Sequence, residues 1–192
     1  MDIECVQRAR DGDADAMQSL WRDHRRWVAS ILLAHKPREC DLEDLLQDVA
    51  LSFVEGVGTL REPSRLRPWL RSIALNTARS AGRKATTRRV WNTIRRGQPS
   101  DGTVATMPTE GVMAGESNRV LELAQRLAPE YAEPLMLRAM RGMSQRQIAQ
   151  TLDLPETTVE TRLARARKML MEEMAFANET ETIPFMKRRA TQ

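Results

Sequence analysis

Residues 142–170, GMSQRQIAQTLDLPETTVETRLARARKML, hold two short amphipathic helices almost without a connection between them. That leaves a helix–turn–helix as the natural fold of the stretch. Ser144 can cap the first helix through its hydroxyl. Asp153-Leu154-Pro155 breaks the pattern, since proline disfavours helix at the residue before it. A second helix starts near Glu156, with proline tolerated at or just before a first turn. Val159, Leu163, Ala166 and Leu170 recur at spacings of four, three and four, which makes one buried stripe. The other face carries Thr157, Thr158, Thr161, Arg162, Arg165 and Lys168. Hydroxyls and guanidinium groups at the front of an exposed helix suit a major groove, with partners for base edges and cations for phosphates. The pattern predicts DNA reading. The plainer alternative is an antiparallel helix pair with a solvated basic face.

The rest of the composition agrees with an all-helical chain. Aromatic content is 4% and strand-favouring runs are absent, while hydrophobic content of 41% is enough for packed cores. The 192 residues suffice for one domain or two small ones. No apolar run approaches the roughly 18 residues of a membrane span, and the polar, acidic start MDIECVQRARDGD is no signal peptide. Cys5 and Cys40 are isolated, which gives neither a disulfide framework nor zinc spacing and predicts two reduced thiols. His24 and His35 sit in a helical pattern without a partner motif for a metal or a catalytic triad. No cofactor site is expected.

The net charge of +4 hides a sharp polarity. Residues 1–60 hold 7 basic and 12 acidic side chains, whereas residues 61–96 hold 11 basic and one acidic, Glu62. Two surfaces of opposite sign imply two different partners.

In chain order, a short helix covers Ile3 to Arg10 and stops at Asp11-Gly12. The next runs from about Asp13 to His35, burying Met17, Leu20, Trp21, His24, Trp27, Val28 and Ile31. Asp41 caps a third helix, DLEDLLQDVALSFVEG, whose early acids suit the helix dipole. Leu42, Leu45, Leu46, Val49, Ala50 and Phe53 form its apolar face. Asp44, Gln47, Asp48 and Glu55 make an acidic ridge, either a solvated face or a seat for a basic partner. The loop VGTLREPSR follows. A fourth helix starts near 66–68 and runs through WLRSIALNTARSAGRKATTRRVWNTIRR. Leu66, Trp69, Leu70, Ile73, Ala74 and Ala81 face inward. Arg71, Asn76, Arg79, Ser80, Arg83, Lys84, Arg88 and Arg89 surround them, a one-signed set that suits a polyanion. The alternative is a frayed solubilising end. Trp91 either stacks on an unpaired base or packs against the second helix.

Residues 97–117 change to Gly, Pro, Ser and Thr with no basic residue, the composition of a flexible linker. Extended, it spans at most about 70 Å, roughly two turns of B-DNA. The organisation is therefore two small helical domains, 1–96 and 118–174, around this linker, with a tail at 175–192. In the second domain NRVLELAQRLA and PEYAEPLMLRAMR precede the helix–turn–helix. The second of these buries either Leu135, Ala139 and Met143 or Met136 and Met140, and Gly142 closes it. The tail, AFANETETIPFMKRRATQ, has no clear period and is either disordered or a docking peptide.

This arrangement resembles the bacterial sigma factors of the extracytoplasmic-function group, in the sigma-70 family, over about 5–95 and 118–173. Leu42–Val54 looks like the helix that docks on core RNA polymerase. Arg67–Lys84 looks like the helix that engages the upstream edge of the promoter melting element. The segment from Arg126 to Leu170 looks like the reader of the minus thirty-five element. The resemblance implies a cytoplasmic alternative sigma factor, not an enzyme, with core polymerase, promoter DNA and an anti-sigma factor as partners. It implies polymerase contacts from Asp44, Leu45, Gln47, Asp48 and Val49. It implies melting-element contacts from Asn76, Arg79, Ser80, Arg83 and Lys84, with a base pocket at Thr59 to Ser64. It implies upstream-element contacts from Ser144, Gln145, Thr157, Thr158, Glu160, Thr161, Arg162 and Arg165. Relatives often carry a basic residue and a serine where this chain has Glu160-Thr161, and an acid there can accept from a cytosine amino group. The runner-up is a stand-alone regulator whose N-terminal bundle senses or dimerises.

Overall fold

A computed structural model describes residues 3–96 and 121–186, with side chains left undescribed at 89, 92–96 and 176–186. The linker at 97–117, the start of the helix expected from Asn118, and residues 187–192 lie outside the described residues. No strand occurs among the described residues.

The N-terminal helices begin and end where their caps dictate. Helix α1 (Ile3–Arg10) stops at Gly12, whose φ of +94° suits a residue without a Cβ. Asp13 then caps α2 (Ala14–His35), accepting from the amides of Asp15 and Ala16 and pairing with Arg8. Those bonds hold its carboxyl below the usual value, the Ala16 amide first and Arg8 next. Asp41 caps α3 (Leu42–Gly56) in the same way, through the amides of Glu43 and Asp44. Such caps contribute about 1 kcal/mol each. The loop after α3 is two 3-10 turns, Val57–Thr59 and Pro63–Arg65, with Leu60 buried between them. Helix α4 (Leu66–Arg96) follows directly.

Helices α1, α3 and α4 pack on α2. Leu45, Leu46, Val49 and Phe53 of α3 meet Leu66, Leu70, Ala74 and Ala78 of α4 in one core with Leu20, Trp27 and Ile31. Trp21, Phe53 and Trp69 form a ring cluster with centroids 6.1 and 6.2 Å apart. Gly56 allows that cluster, since a Cβ there would come within 2.8 Å of Trp69 Cζ2.

The C-terminal half starts with a helical segment at 121–124, here α5. Helix α6 (Pro129–Arg141) ends on Gly142 in the left-handed conformation, φ +60°. Its buried side is Ala132, Glu133, Pro134, Met136 and Leu137; of the expected positions Met136 and Met143 are buried, Leu135 and Met140 half-buried and Ala139 exposed, so neither expected register holds whole. Helix α7 (Gln145–Leu152) opens with a reciprocal cap: Ser144 Oγ accepts from the Gln147 amide, and Gln147 Oε1 accepts from the Ser144 amide. Asp153 takes a left-handed φ of 54° to turn the chain. Helix α8 (Glu156–Met186) then buries Val159, Leu163, Ala166 and Leu170 as the spacing predicts. It also runs on through the segment where the sequence shows no period, so the tail is helical as far as Met186.

The two halves close on each other. Every residue of α2 from Trp27 to Ala34 is buried, because α6 covers the side that α1, α3 and α4 leave open. Leu33 and Ala34 pack among Leu123, Ala124, Leu127, Ala132 and Met136. At the seam sits Glu133, with Arg71 Nε and Nη2 each donating to its carboxylate at 2.8 Å and His35 Nε2 at 2.9 Å. His35 therefore has a partner far along the chain that no local motif announces.

Candidate nucleic-acid interface

Three exposed surfaces carry the candidate residues, and each is fixed by the core beneath it. On α8 the buried stripe turns Thr157, Thr161 and Arg165 outward, with Thr158 and Arg162 half-buried beside them. These five line a groove whose far wall is Glu130 and Tyr131, at the start of α6. Those two were not legible in α8 itself, because they come from a different helix that folds alongside. The groove offers hydroxyls, two guanidinium groups and a phenol, which suits base edges and phosphates together. Thr161 Oγ1 donates back to the Thr157 carbonyl, which orients its hydroxyl. Glu160 is exposed one residue away. Ser144 is exposed, but its Oγ already serves the α7 cap, and Gln145 beside it is half-buried.

On α4, Asn76, Ser80, Arg83 and Thr87 succeed one another at spacings of four, three and four and so share one face, flanked by Arg79 and Lys84. All but half-buried Ser80 are exposed. From Leu66 to Arg96 the helix has no acidic residue. Arg71 leaves this set, because its guanidinium turns inward to Glu133. In the Thr59–Ser64 stretch, Thr59 Oγ1 donates to the Gly56 carbonyl and Leu60 is buried under the loop. Trp91 is 65% exposed and not packed on α2.

On α3, Asp44, Gln47 and Asp48 are exposed as a ridge. Leu45 and Val49 are not part of that surface: they are 4% and 0% exposed and face the core. Helical periodicity puts Leu45 about 100° from Asp44 and Val49 about 100° from Asp48, so both lie beneath the ridge in this chain's own core. The apolar members of the outer face are instead Leu51 and Val54, 62% and 53% exposed. Sequence reading missed them because they lie outside the expected buried stripe.

Among the described residues no group of His, Cys, Asp or Glu is placed to hold a metal ion. Both cysteines are free thiols. No helix among them is long and apolar enough to cross a membrane.

A two-part helical protein with a groove-forming helix–turn–helix, a cationic helix and a separate acidic ridge belongs among the DNA-binding transcription proteins. Comparison with known families narrows this. The sequence pattern of "Sigma-70 region 2" matches residues 20–89, and that of "Sigma-70, region 4" matches residues 117–170. The chain is 26% identical over 176 residues to the ECF RNA polymerase sigma-E factor of Haemophilus influenzae, covering 88% of this chain and 93% of that one. It is 27% identical over 172 residues to the factor of the same name from Escherichia coli K12, covering 86% and 90%. Among solved structures it is similar to CnrH in complex with the cytosolic domain of CnrY, with a TM-score of 0.60 and 26% identity over 91% of this chain and 97% of that one. The chain belongs to the sigma-70 family, in its extracytoplasmic-function group. It is an alternative sigma factor that directs RNA polymerase to promoters.

Proposed function

We propose that the three surfaces divide the work of initiation among them. The α3 ridge of Asp44, Gln47 and Asp48, with Leu51 and Val54 beside it, docks on a basic and apolar surface of core polymerase. The α4 face from Asn76 to Lys84 takes the promoter melting element, with the Thr59–Ser64 loop receiving a base drawn from the stack. Extruding a base costs a few kcal/mol, which the cationic face offsets by holding the strand's phosphates. The groove of Thr157, Thr158, Thr161, Arg162, Arg165, Glu130 and Tyr131 takes the minus thirty-five element, and Glu160 reads a base edge there. The factor acts by binding, with no bond chemistry of its own, in the cytoplasm, and an anti-sigma protein holds it until a signal arrives.

The observation that carries this reading is the segregation of charge on one rigid frame. The exposed acids of α3 and the acid-free face of α4 stand on helices that share a core. The test is run-off transcription on a pool of genomic fragments, with core polymerase, with and without the protein. Transcripts that appear only with the protein support the reading. Specific DNA binding by the protein alone, with no transcripts, favours a stand-alone regulator instead.

A further inference from the structure

We propose that the seam between the halves carries an anion site at the end away from Glu133, where Arg67 of α4 and Arg141 of α6 meet beside buried His24 of α2, and that its ligand is a compact phosphate anion, a pyrophosphate or polyphosphate group.

Two contacts set the register of the three helices. Pro37, just past α2, lies against Gly82 of α4. The Glu133 carboxylate of α6 ties His35 of α2 to Arg71 of α4. From Pro37 back to His24 is about 20 Å of helix, and from Gly82 back to Arg67 about 22 Å. Along α6, Arg141 lies about 12 Å beyond Glu133, against about 16 Å from His35 back to His24. Long side chains bridge such small differences, so His24, Arg67 and Arg141 come to one level. The state of the imidazole agrees with this. Burial, then Arg67 and Arg141, hold it below its usual value, against the Leu20 carbonyl and Asp23.

The two ends of the seam are not alike. Where helices meet elsewhere, arginines find carboxylates: Arg25 has Glu43, Arg71 has Glu133 and Arg126 has Glu173. Arg67 and Arg141 are exposed and have no hydrogen bond or ion pair among the described residues. Asp23 is exposed and likewise has no ion pair there, and its side chain leaves α2 about 100° from that of His24. Arg138 is engaged, with Nη1 donating to the Met143 carbonyl at 2.9 Å, and so steadies the turn that follows Arg141. Closing the halves therefore brings two guanidinium groups together over an imidazole that is 7% exposed, with no acid between them.

That charge selects the ligand. A guanidinium presents a fork of donors that matches phosphate oxygens in pairs. Two forks from opposite sides match an ion with several oxygens and more than one charge, whereas a single carboxylate offers two oxygens and one charge. Because each half supplies one arginine, the anion binds the closed body and not the separated halves. It therefore stabilises closure by mass action.

The test titrates the full-length protein with tripolyphosphate and, separately, with adenosine triphosphate, by calorimetry at about 0.15 M salt. Wild type is compared with Arg67→Gln, Arg141→Gln and, for the cationic stripe of α4, Arg83→Gln. Each of the first two should weaken binding at least about tenfold. Arg83→Gln should weaken it by less than about twofold. That pattern with either ligand supports the site, and the tighter ligand identifies the source as free polyphosphate or nucleotide. Urea unfolding of the same proteins supplies a second readout. Without anion, Arg67→Gln and Arg141→Gln should unfold at the wild-type midpoint or above it, since each relieves like charge across the seam. Both should lose the upward shift that the anion gives wild type. Absence of binding by wild type would overturn the proposal. A loss confined to one of the two seam variants would seat the anion on one half alone, and an equal loss in Arg83→Gln would seat it on the α4 stripe; either result would overturn it as well. A midpoint below wild type without anion would assign that arginine a structural role and count against the site.

Discussion

Replacing Glu133 by glutamine keeps the shape of the side chain at the seam between the halves and removes its charge. The carboxylate is 6% exposed and accepts three hydrogen bonds, two from Arg71 and one from His35. Glutamine offers a single oxygen and turns an NH2 towards donors, so one or two of the three bonds are lost. Hydrogen bonds to charged groups contribute about 1.5–3 kcal/mol each. Arg71 and His35 are 27% and 22% exposed, so both regain water once released. The net loss should therefore be about 2–3 kcal/mol, below the simple sum. Arg71→Met is the harsher change, because it leaves a buried carboxylate with His35 alone. Removing one partner of a buried pair costs about 3–5 kcal/mol. The double variant should be less destabilised than the two singles together, with a coupling of at least about 1.5 kcal/mol. Urea unfolding followed by tryptophan fluorescence measures all four proteins. Small-angle scattering on the same samples detects parting of the halves before unfolding. Additivity within about 0.5 kcal/mol, or unmoved midpoints in both single variants, would refute the reasoning.

The same carboxylate sets an acid limit. Burial alone would raise its pKa, but the bonds from His35 and Arg71 prevail and hold it below the usual 4.5. A depressed carboxyl contributes stability that is complete above the unfolded value and fades as pH falls through the folded one. Wild type should lose stability as pH drops below about 4.5, and Glu133→Gln should lack that component.

Other changes test other parts of the molecule. Asp48→Lys reverses an exposed charge on the α3 ridge and should abolish core-dependent transcription while the stability in urea unfolding stays within about 0.5 kcal/mol of wild type. Transcription retained by that variant would refute the docking role. Gly56→Ala drives a methyl to 2.8 Å from Trp69 Cζ2 and should cost about 1–3 kcal/mol in urea unfolding; an unchanged midpoint would mean the ring cluster yields freely. Burial keeps the His24 imidazole below its usual 6.5, against the pull of its bond to the Leu20 carbonyl. The buried neutral ring then supports the fold fully above 6.5 and progressively less as pH falls through its folded value. His24→Gln should flatten the thermal midpoint across that range. Glu160→Arg should exchange a cytosine preference for guanine at one position of the upstream element, read by transcription from a randomised promoter library.

Most helix ends were legible because their signals are local. Asp41 and Ser144 cap where the sequence implies, Asp13 stands where the second helix is expected to begin, and Gly12 and Gly142 end helices with positive φ. The α8 stripe was equally plain, since four apolar residues at helical spacing leave one choice of face. The ridge was only partly legible. Leu45 and Val49 share its sequence neighbourhood with Asp44 and Asp48, but adjacent helical residues point about 100° apart, and the structure sends the two apolar ones to the core. Glu130 and Tyr131 were not legible at all as groove residues, because their role depends on how α6 lies beside α8.

What the sequence obscured is the contact between the halves, and the reason is again physical. A linker composition fixes reach, not docking, so two domains and one closed body are equally consistent with residues 97–117. One signal was nevertheless present. Trp27 to Ala34 reads WVASILLA, apolar or small around the whole circumference, and a helix that is apolar all round must be covered all round. A bundle of α1, α3 and α4 covers only part of it. The stripe Leu20, Trp27, Ile31 was enough to explain one face, and the remaining apolar positions, Ala29, Leu33 and Ala34, called for another helix. His35 at the end of that run and Glu133 on the buried side of α6 are the polar counterparts of the same demand. Each is a charged or chargeable group on a covered face, where it persists only with a partner. The charged residues close by in the chain do not supply it, and the seam does.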